Sequence, residues 1–289
     1  MKKLLAVSGG IDSIVLLHIF SHDPDVLVAH FNHGTRSSAR DDQRFVSALA
    51  KKYHKPFYTT TATLGPNASE FTARTARYHY LRQLATQLNA RIYTAHHTDD
   101  LLETIIINYL RGTGWRGLAP LDAPDIVRPF LHPDLLPKSN QPNFTRPLSK
   151  TDLIRYAAQY QLAFRQDPTN QEEHYLRNRI RILMQNFSLS QKDALLSLTS
   201  SQYQLKSQIE QLLASLLPTD HLYRRSWFIN LPDSVALEIL RAALASINLS
   251  ATRPQLQNFL HAIRTYAPEK SFNLPGNHLI ILHRNFFRL

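Results

Sequence analysis

Six residues near the amino terminus, SGGIDS at positions 8–13, set two adjacent glycines among two serines and an aspartate. Gly9 and Gly10 can take positive φ and let the backbone approach a ligand closely, so successive amides can point at one anion. Ile11 opens an apolar-periodic segment, and the helix it predicts turns its positive end to the same place. Ser8 and Ser13 add hydroxyl donors, and Asp12 is placed to hold Mg2+ against phosphate oxygens. The lysine of G-x-x-x-x-G-K-[ST] is missing, so this is not the usual NTPase phosphate loop. By itself a glycine pair of this kind can also be a simple turn.

A second stretch, AHHTDDLLETIIINYLRGTGWRGLAPL, begins at Ala95. If a helix starts near Asp99, then Asp100 and Glu103 share one face of its first turn, and His96 can face the same space. Two carboxylates beside an imidazole can bind magnesium, orient a cationic amine or move protons. The plainer reading is that Asp99 or Asp100 caps the helix; a His–Asp metal site of a phosphohydrolase is another. Farther on, Arg177 and Arg181 stand four apart, which alone describes a solvated helix face.

These groups need elements to position them. KKLLAVSG, DVLVAHFNH, KPFYTTTATL and ARIYTAHH read as strands, and residues 13–20, 38–53 and 69–88 between them as helices. The alternation predicts an α/β fold, with a parallel sheet covered by helices on both faces. Ligands in such sheets bind beyond the carboxyl ends of the strands, so the segments after the first, second and fourth strands should converge. Residues 119–148 are proline-rich and irregular, with one short strand expected at 126–131. SKTDLIRYAAQYQL predicts a helix capped by Ser149. After residue 190 the pattern becomes mostly helical, including 234–247 and 253–266, and the tail reads as a hairpin turning at Pro275–Gly276. We therefore expect a nucleotide-binding domain at 1–190 and a smaller domain at 191–289 that starts with a linker helix.

The net charge of +11 and the pI near 9.9 favour a polyanionic partner over a merely solvated basic surface. There is no cysteine, which rules out thiolate nucleophiles and cysteine-held zinc or clusters. No apolar run is long enough to span a bilayer. The lysines and apolar run at the start only faintly imitate a secretory signal. The expected location is cytoplasmic, with no membrane partner.

The loop matches S-G-G-x-D-S, and with it the chain resembles the N-type ATP pyrophosphatases. The second stretch resembles the H-H-x-x-D-D-x-x-E-T…R-G-x-G-x-x-G-L segment of one branch, tRNA(Ile)-lysidine synthase, through His96, His97, Asp99, Asp100, Glu103, Thr104, Arg111, Gly112, Gly114, Gly117 and Leu118. AHFNHGTRSSARDD looks like that family's second-strand motif, with Asn32, His33, Gly34 and Arg36. TARTARYHYL resembles its A-R-x-x-R-Y helix through Arg74, Arg77 and Tyr78. FRQDPTNQEEHYLRNRIRILM resembles a further segment through Asp167, Asn170, Tyr175, Arg177, Asn178 and Arg181. The likeness covers residues 1 to about 187, and the chain reads as a short member without the extra terminal domain of some relatives.

The resemblance implies a reaction. ATP adenylates the C2 carbonyl oxygen of the first-anticodon cytidine of a tRNA(Ile) with anticodon CAU and releases pyrophosphate; the ε-amine of free L-lysine then attacks C2 and displaces AMP. It also implies binding roles. Ser8, Gly9, Gly10, Ile11, Asp12 and Ser13 hold ATP, Asp12 also taking Mg2+. Asn32, His33, Arg36, Arg74, Arg77, Arg111, Asn170, Arg177 and Arg181 meet phosphate or substrate. The catalytic set is then Asp12, Arg77, His96, Asp100 and Glu103. Which carboxylate meets magnesium and which the amine stays open, as does the proton acceptor. Arg224, Arg225, Arg253, Arg264, Arg284 and Arg288 are the cations expected to grip RNA. A tRNA thiolase or an amidotransferase-type synthetase would need cysteines; a non-catalytic RNA binder would not need the intact acidic and histidine residues. The oligomeric state, a homodimer included, is not legible.

Overall fold

The computed structural model describes residues 1–34, 39–62, 70–137, 144–165 and 176–289. Arg36, Asp167, Asn170 and Tyr175 lie outside them. The chain forms two compact units, Met1–Ser200 and Ser201–Leu289.

The first unit is built on five parallel strands: β1 (Lys2–Ala6), β2 (Val26–Asn32), β3 (Phe57–Thr61), β4 (Ala90–Tyr93) and β5 (Ile126–Val127). They lie in the order β3-β2-β1-β4-β5. The helices between them are α1 (Ile11–Ile19), α2 (Ala39–Lys52), α3 (Glu70–Leu88) and α4 (Thr98–Leu110). Successive side chains of a strand alternate between faces, and both faces here are apolar. Leu5, Val26 and Val28 pack with α1, with Val46 of α2 and with Leu153 and Tyr156 of α5 (Lys150–Gln159). Leu4, Leu27, Ala29 and Ile92 pack on the opposite side with Tyr78, Leu81 and Leu84 of α3. The register, with Leu4 beside both Leu27 and Ile92, keeps each set on one face. Such two-sided burial is why these strands read as continuous apolar runs rather than alternating ones.

The chain builds outward from β1 to β3, then returns to lay β4 on the other side of β1. A crevice therefore opens where β1 and β4 end, the usual ligand position of such sheets. Beyond it, α4 packs through Leu101, Leu102 and Ile105 against Ile180 and Met184 of α6 (Leu176–Gln185). The boundary between the units falls inside the long helix α7 (Leu189–Leu216).

The second unit contains β6 (Leu222–Arg224), α8 (Arg225–Asn230), α9 (Asp233–Ser246), α10 (Arg253–Thr265), β7 (Lys270–Leu274), β8 (His278–Leu282) and β9 (Phe286–Arg288). The expected tail hairpin is present as β7 and β8, turning at Pro275–Asn277 with Gly276 at φ +75°. It belongs to a larger antiparallel sheet, β6-β9-β8-β7, whose three-residue strands β6 and β9 are too short to show a period in sequence. Two expected RNA-gripping cations serve this fold instead. Arg225, 6% exposed, donates to the carbonyls of Ile263, Tyr266 and His283 at 2.7–3.0 Å. Arg264 donates to the carbonyls of Phe228 and Leu231 and to Asp233. Helix ends and turns left carbonyls without donors, and a forked guanidinium satisfies several at once. Arg224, Arg253, Arg284 and Arg288 remain exposed. No helix among the described residues is long and apolar enough to cross a membrane.

Candidate active site

The 8–13 loop bridges the end of β1 and the start of α1. Gly9 has φ +98°, which a side chain would strain, and Gly10 caps α1 in an extended conformation. The buried Ser13 hydroxyl accepts the backbone N–H groups of Ser8 and Gly9 at 3.1 and 3.2 Å and donates to Gly10 O. Ser13 thus holds the loop's shape from inside. Arg165 clamps it from outside, its N–H donating to Gly9 O at 2.9 Å.

Asp12 stands in the first turn of α1. Its Oδ1 accepts a 2.6 Å hydrogen bond from Lys150 Nζ and lies 3.8 Å from His97 Nε2. That imidazole is also 3.4 Å from Asp100 Oδ2, so one buried ring links two carboxylates carried by different helices. Asp100 accepts the backbone N–H of His97, closing the first turn of α4, and Asp99 accepts the backbone N–H of Lys150 at 2.7 Å. Asp100 therefore does the capping work of the plainer reading and still borders open space, whereas Asp99 reaches across to the first turn of α5.

That space is a cavity of about 450 Å3 lined by Ser8, Asp12, Ser13, Asn32, His33, Arg74, Arg77, His96, Asp100 and Arg177, among others. Segments after the first, second and fourth strands do converge, and α3 and α6 add arginines. Asn32 spends its side chain on structure: its amide bonds Gln43 and Ala39 O, and its carbonyl accepts the N–H of Gly34. Gly34 has φ +67° and would bring a Cβ within 2.5 Å of Ala62 O, so the glycine is obligatory. Arg74 and Arg77 both lie over the Tyr78 ring, at 4.9 and 5.1 Å. Burial lowers the pKa of the Arg77 guanidinium, with Arg74 and Arg177 adding repulsion, and its Nε has no hydrogen-bond partner. A desolvated cation with a spare donor, set among like charges at the edge of a cavity, favours the binding of an anion there. Burial also pushes the His96 imidazole down to about 3, helped by Arg128, Arg74 and Arg77 and opposed by Asp100. His96 is thus a neutral ring at ordinary pH, with Nδ1 2.8 Å from Thr94 Oγ1.

Other expected site residues sit elsewhere. Glu103 is 2% exposed and does not line the cavity; Arg181 Nε donates to it at 2.5 Å and Arg177 Nε lies 3.4 Å away. Burial raises the Glu103 pKa against the pull of these arginines. Arg181 also reaches Asp100, at 3.8 Å. Arg111 is the exposed C-cap of α4, a whole helix away from Asp100. Sequence reasoning missed Lys150, which shows only as a lysine following a cap, and Arg128, a 6%-exposed cation whose signal is a charge inside the apolar run DIVRPF.

A strand, an anion-cradling turn and a helix, with cations gathered across the crevice, make an ATP-handling design, and comparison agrees. Residues 1–187 match the model of the PP-loop domain family ATP_bind_3. The chain belongs to this PP-loop family. Among similar proteins, the PP-loop chain is 37% identical to the tRNA(Ile)-lysidine synthase of Haemophilus ducreyi over 185 residues, 62% of this chain and 40% of that protein. It is 29% identical to the tRNA(Ile)-lysidine synthase of Thermotoga maritima over 245 residues, 78% and 55% of the two chains. It is 32% identical to the bifunctional protein TilS/HprT of Listeria monocytogenes over 214 residues, 68% and 31%. The PP-loop chain thus spans about a third to half the length of these relatives. Among solved structures, the U34-tRNA thiolase NcsA of Methanococcus maripaludis superposes with a TM-score of 0.52 at 17% identity, over 71% of this chain and 72% of that one. That likeness concerns the fold alone.

Proposed function

We propose that this PP-loop chain is a tRNA(Ile)-lysidine synthase. The observation that carries the reading is that one cavity is lined together by Ser8, Asp12 and Ser13 of the phosphate loop, by Arg77, whose Nε has no hydrogen-bond partner, and by His96 and Asp100. The relatives' name points to tRNA(Ile) as substrate, the PP-loop family to ATP, and the motif resemblance implies the CAU anticodon and free L-lysine.

In the first step, O2 of the cytidine attacks the α-phosphorus of ATP, a P–O bond forms, and pyrophosphate departs. The amides of loop 8–13 and the start of α1 receive that diphosphate, whose charge grows as it leaves. Arg74, Arg77 and Arg177 stabilise the α-phosphate and the adenylated base. In the second step, the lysine ε-amine, having lost a proton, attacks C2, and AMP leaves with the C2–O bond pair. Asp100 is the cavity carboxylate open to the incoming ammonium, and Glu103 acts through the arginines it holds. Neutral His96 is the proton acceptor, made more basic when anions enter beside it. Asp12 and Asp100 offer hard oxygens to one space, and no cluster of three His, Asp or Glu among the described residues closes a metal cage. This donor set fits magnesium, which would draw the rest of its oxygen ligands from phosphate and water. Held at Asp12, magnesium would neutralise the departing diphosphate.

Residues 1–190 form the catalytic domain in this reading, and 191–289 the tRNA-binding one, with α7 as the linker helix at its start. Exposed Arg224, Arg253, Arg284 and Arg288 contact the RNA backbone, and the protein works in the cytoplasm. Sulfur transfer has no support, because these 289 residues include no cysteine to carry sulfur. The test is mass analysis of tRNA(Ile) after incubation with ATP, magnesium and isotope-labelled lysine. A lysine-sized gain on the anticodon nucleoside, with AMP formed and lost in Asp12→Ala, is expected. Formation of ADP, or no gain in mass, overturns the reading.

A further inference from the structure

The ammonium resting on Asp12 has no role in the account so far. Lys150 is the first residue of α5, immediately after its cap Ser149. A cation there opposes the positive end of the helix and is locally unfavourable. Its backbone is pinned: the N–H donates to Asp99, Thr98 N–H donates to Leu148 O, and Ser149 and Asp152 close a capping box. The side chain is not pinned to the same degree. The Lys150–Asp12 pair is 2.6 Å long, yet the two side chains are 39% and 32% exposed. An ion pair so open to water contributes little to stability and exchanges partners easily. The arginines of the cavity gather near His96, whereas the Lys150 ammonium is hydrogen-bonded to the aspartate of the phosphate loop itself. A lysine suits exchange: its ammonium is a compact charge on a flexible stem, without the fixed fork of arginine.

We propose that Lys150 is a resident cation of the phosphate site that changes partner when ligands arrive. In the nucleotide-free protein it neutralises Asp12. When a divalent cation takes Asp12, the ammonium is repelled from that carboxylate and pairs with the diphosphate, turning about an α5 terminus that stays fixed. Lys150 therefore competes with the metal in the empty site and cooperates with it in the loaded one. This rests on the ATP-pyrophosphatase reading of loop 8–13.

Two titrations on the full chain test it, neither needing tRNA or lysine. In Lys150→Met, manganese alone should bind the nucleotide-free protein several-fold more tightly than in the parent, by electron paramagnetic resonance, because Asp12 has lost its competitor. In the same variant, inorganic pyrophosphate with magnesium should bind about tenfold more weakly or worse, by calorimetry. Lys150→Arg should recover part of the pyrophosphate affinity, and AMP affinity should not change in either variant. Unchanged manganese affinity overturns the exchange, as does unchanged pyrophosphate affinity. Equal weakening of manganese, pyrophosphate and AMP marks a structural lysine and also overturns it. If the opposed shifts appear while the parent transfers no lysine to tRNA, the lysidine reading fails and this one stands.

Discussion

At the scale of single residues, the site holds ionisable groups away from the water that would solvate their charged forms. Arg77 keeps a desolvated guanidinium beside Arg74 and Arg177, with Nε unpartnered. Arg77→Met keeps the apolar stem but removes a charge that only an anion rewards. Thermal melting should therefore occur at the same temperature or higher, while calorimetry should show nucleotide affinity about tenfold lower or worse. A clear loss of stability would show that Arg77 is a structural cation. His96 makes a pH prediction. Its folded pKa of about 3 lies below the unfolded value near 6.5, so between these the unfolded chain binds more protons. The stabilisation is whole above the unfolded value and is lost as pH falls toward the folded one. Between about pH 7.5 and about pH 5.5 that loss is about 1.4 kcal/mol, for any folded pKa well below that window. His18 and His30 are also lowered and add in the same direction. Denaturant unfolding of His96→Gln should thus show a pH slope shallower than the parent's by this one share, and an identical slope would refute the assignment.

At the scale of elements, the site is made by helix first turns meeting at the sheet's crevice. Helices α1, α4 and α5 each bring their first residues there, and the cross-helix bonds Asp12–Lys150 and Asp99–Lys150 tie them. The cap of α5 should therefore matter twice. Ser149→Ala removes the hydroxyl that bonds Asp152 and should cost about 1 kcal/mol, seen as a melting temperature lower by a few degrees. It should also lower activity by more than that loss explains, because Lys150 begins at this cap. Activity that falls no further than the folded fraction would show that α5 supports only the core.

At the scale of the whole molecule, the +11 charge is not spread over interchangeable arginines. Arg225→Met strips three carbonyls of their donor and should destabilise the second unit by about 3 kcal/mol or more. Arg284→Ala removes an exposed cation and should leave stability within about 0.5 kcal/mol. In tRNA binding measured across salt concentrations, Arg284→Ala should weaken affinity and reduce the log–log slope by nearly one phosphate contact. ATP affinity should not change. A parallel loss of ATP affinity would place Arg284 in the fold rather than on RNA.

Local pattern determined much of this protein. The runs KKLLAVSG, DVLVAHFNH and ARIYTAHH had to be buried strands, the glycines of SGGIDS had to make the turn between β1 and α1, and Ser149 had to cap a helix. Each rests on interactions within a few residues, which composition and spacing display. The partners across the chain were not displayed. Glu103 shares a helical face with Asp100, yet packing of α4 on α6 closes it under Arg177 and Arg181, and that packing is tertiary. Arg225 and Arg284 look alike in sequence, but the sheet closed by β6 and β9 buries one and exposes the other. Lys150 meets Asp12 only because α1 and α5 pack on the same face of the sheet, across 138 positions of chain. Periodicity reports which side of an element is buried; it does not report which charge waits on the other side.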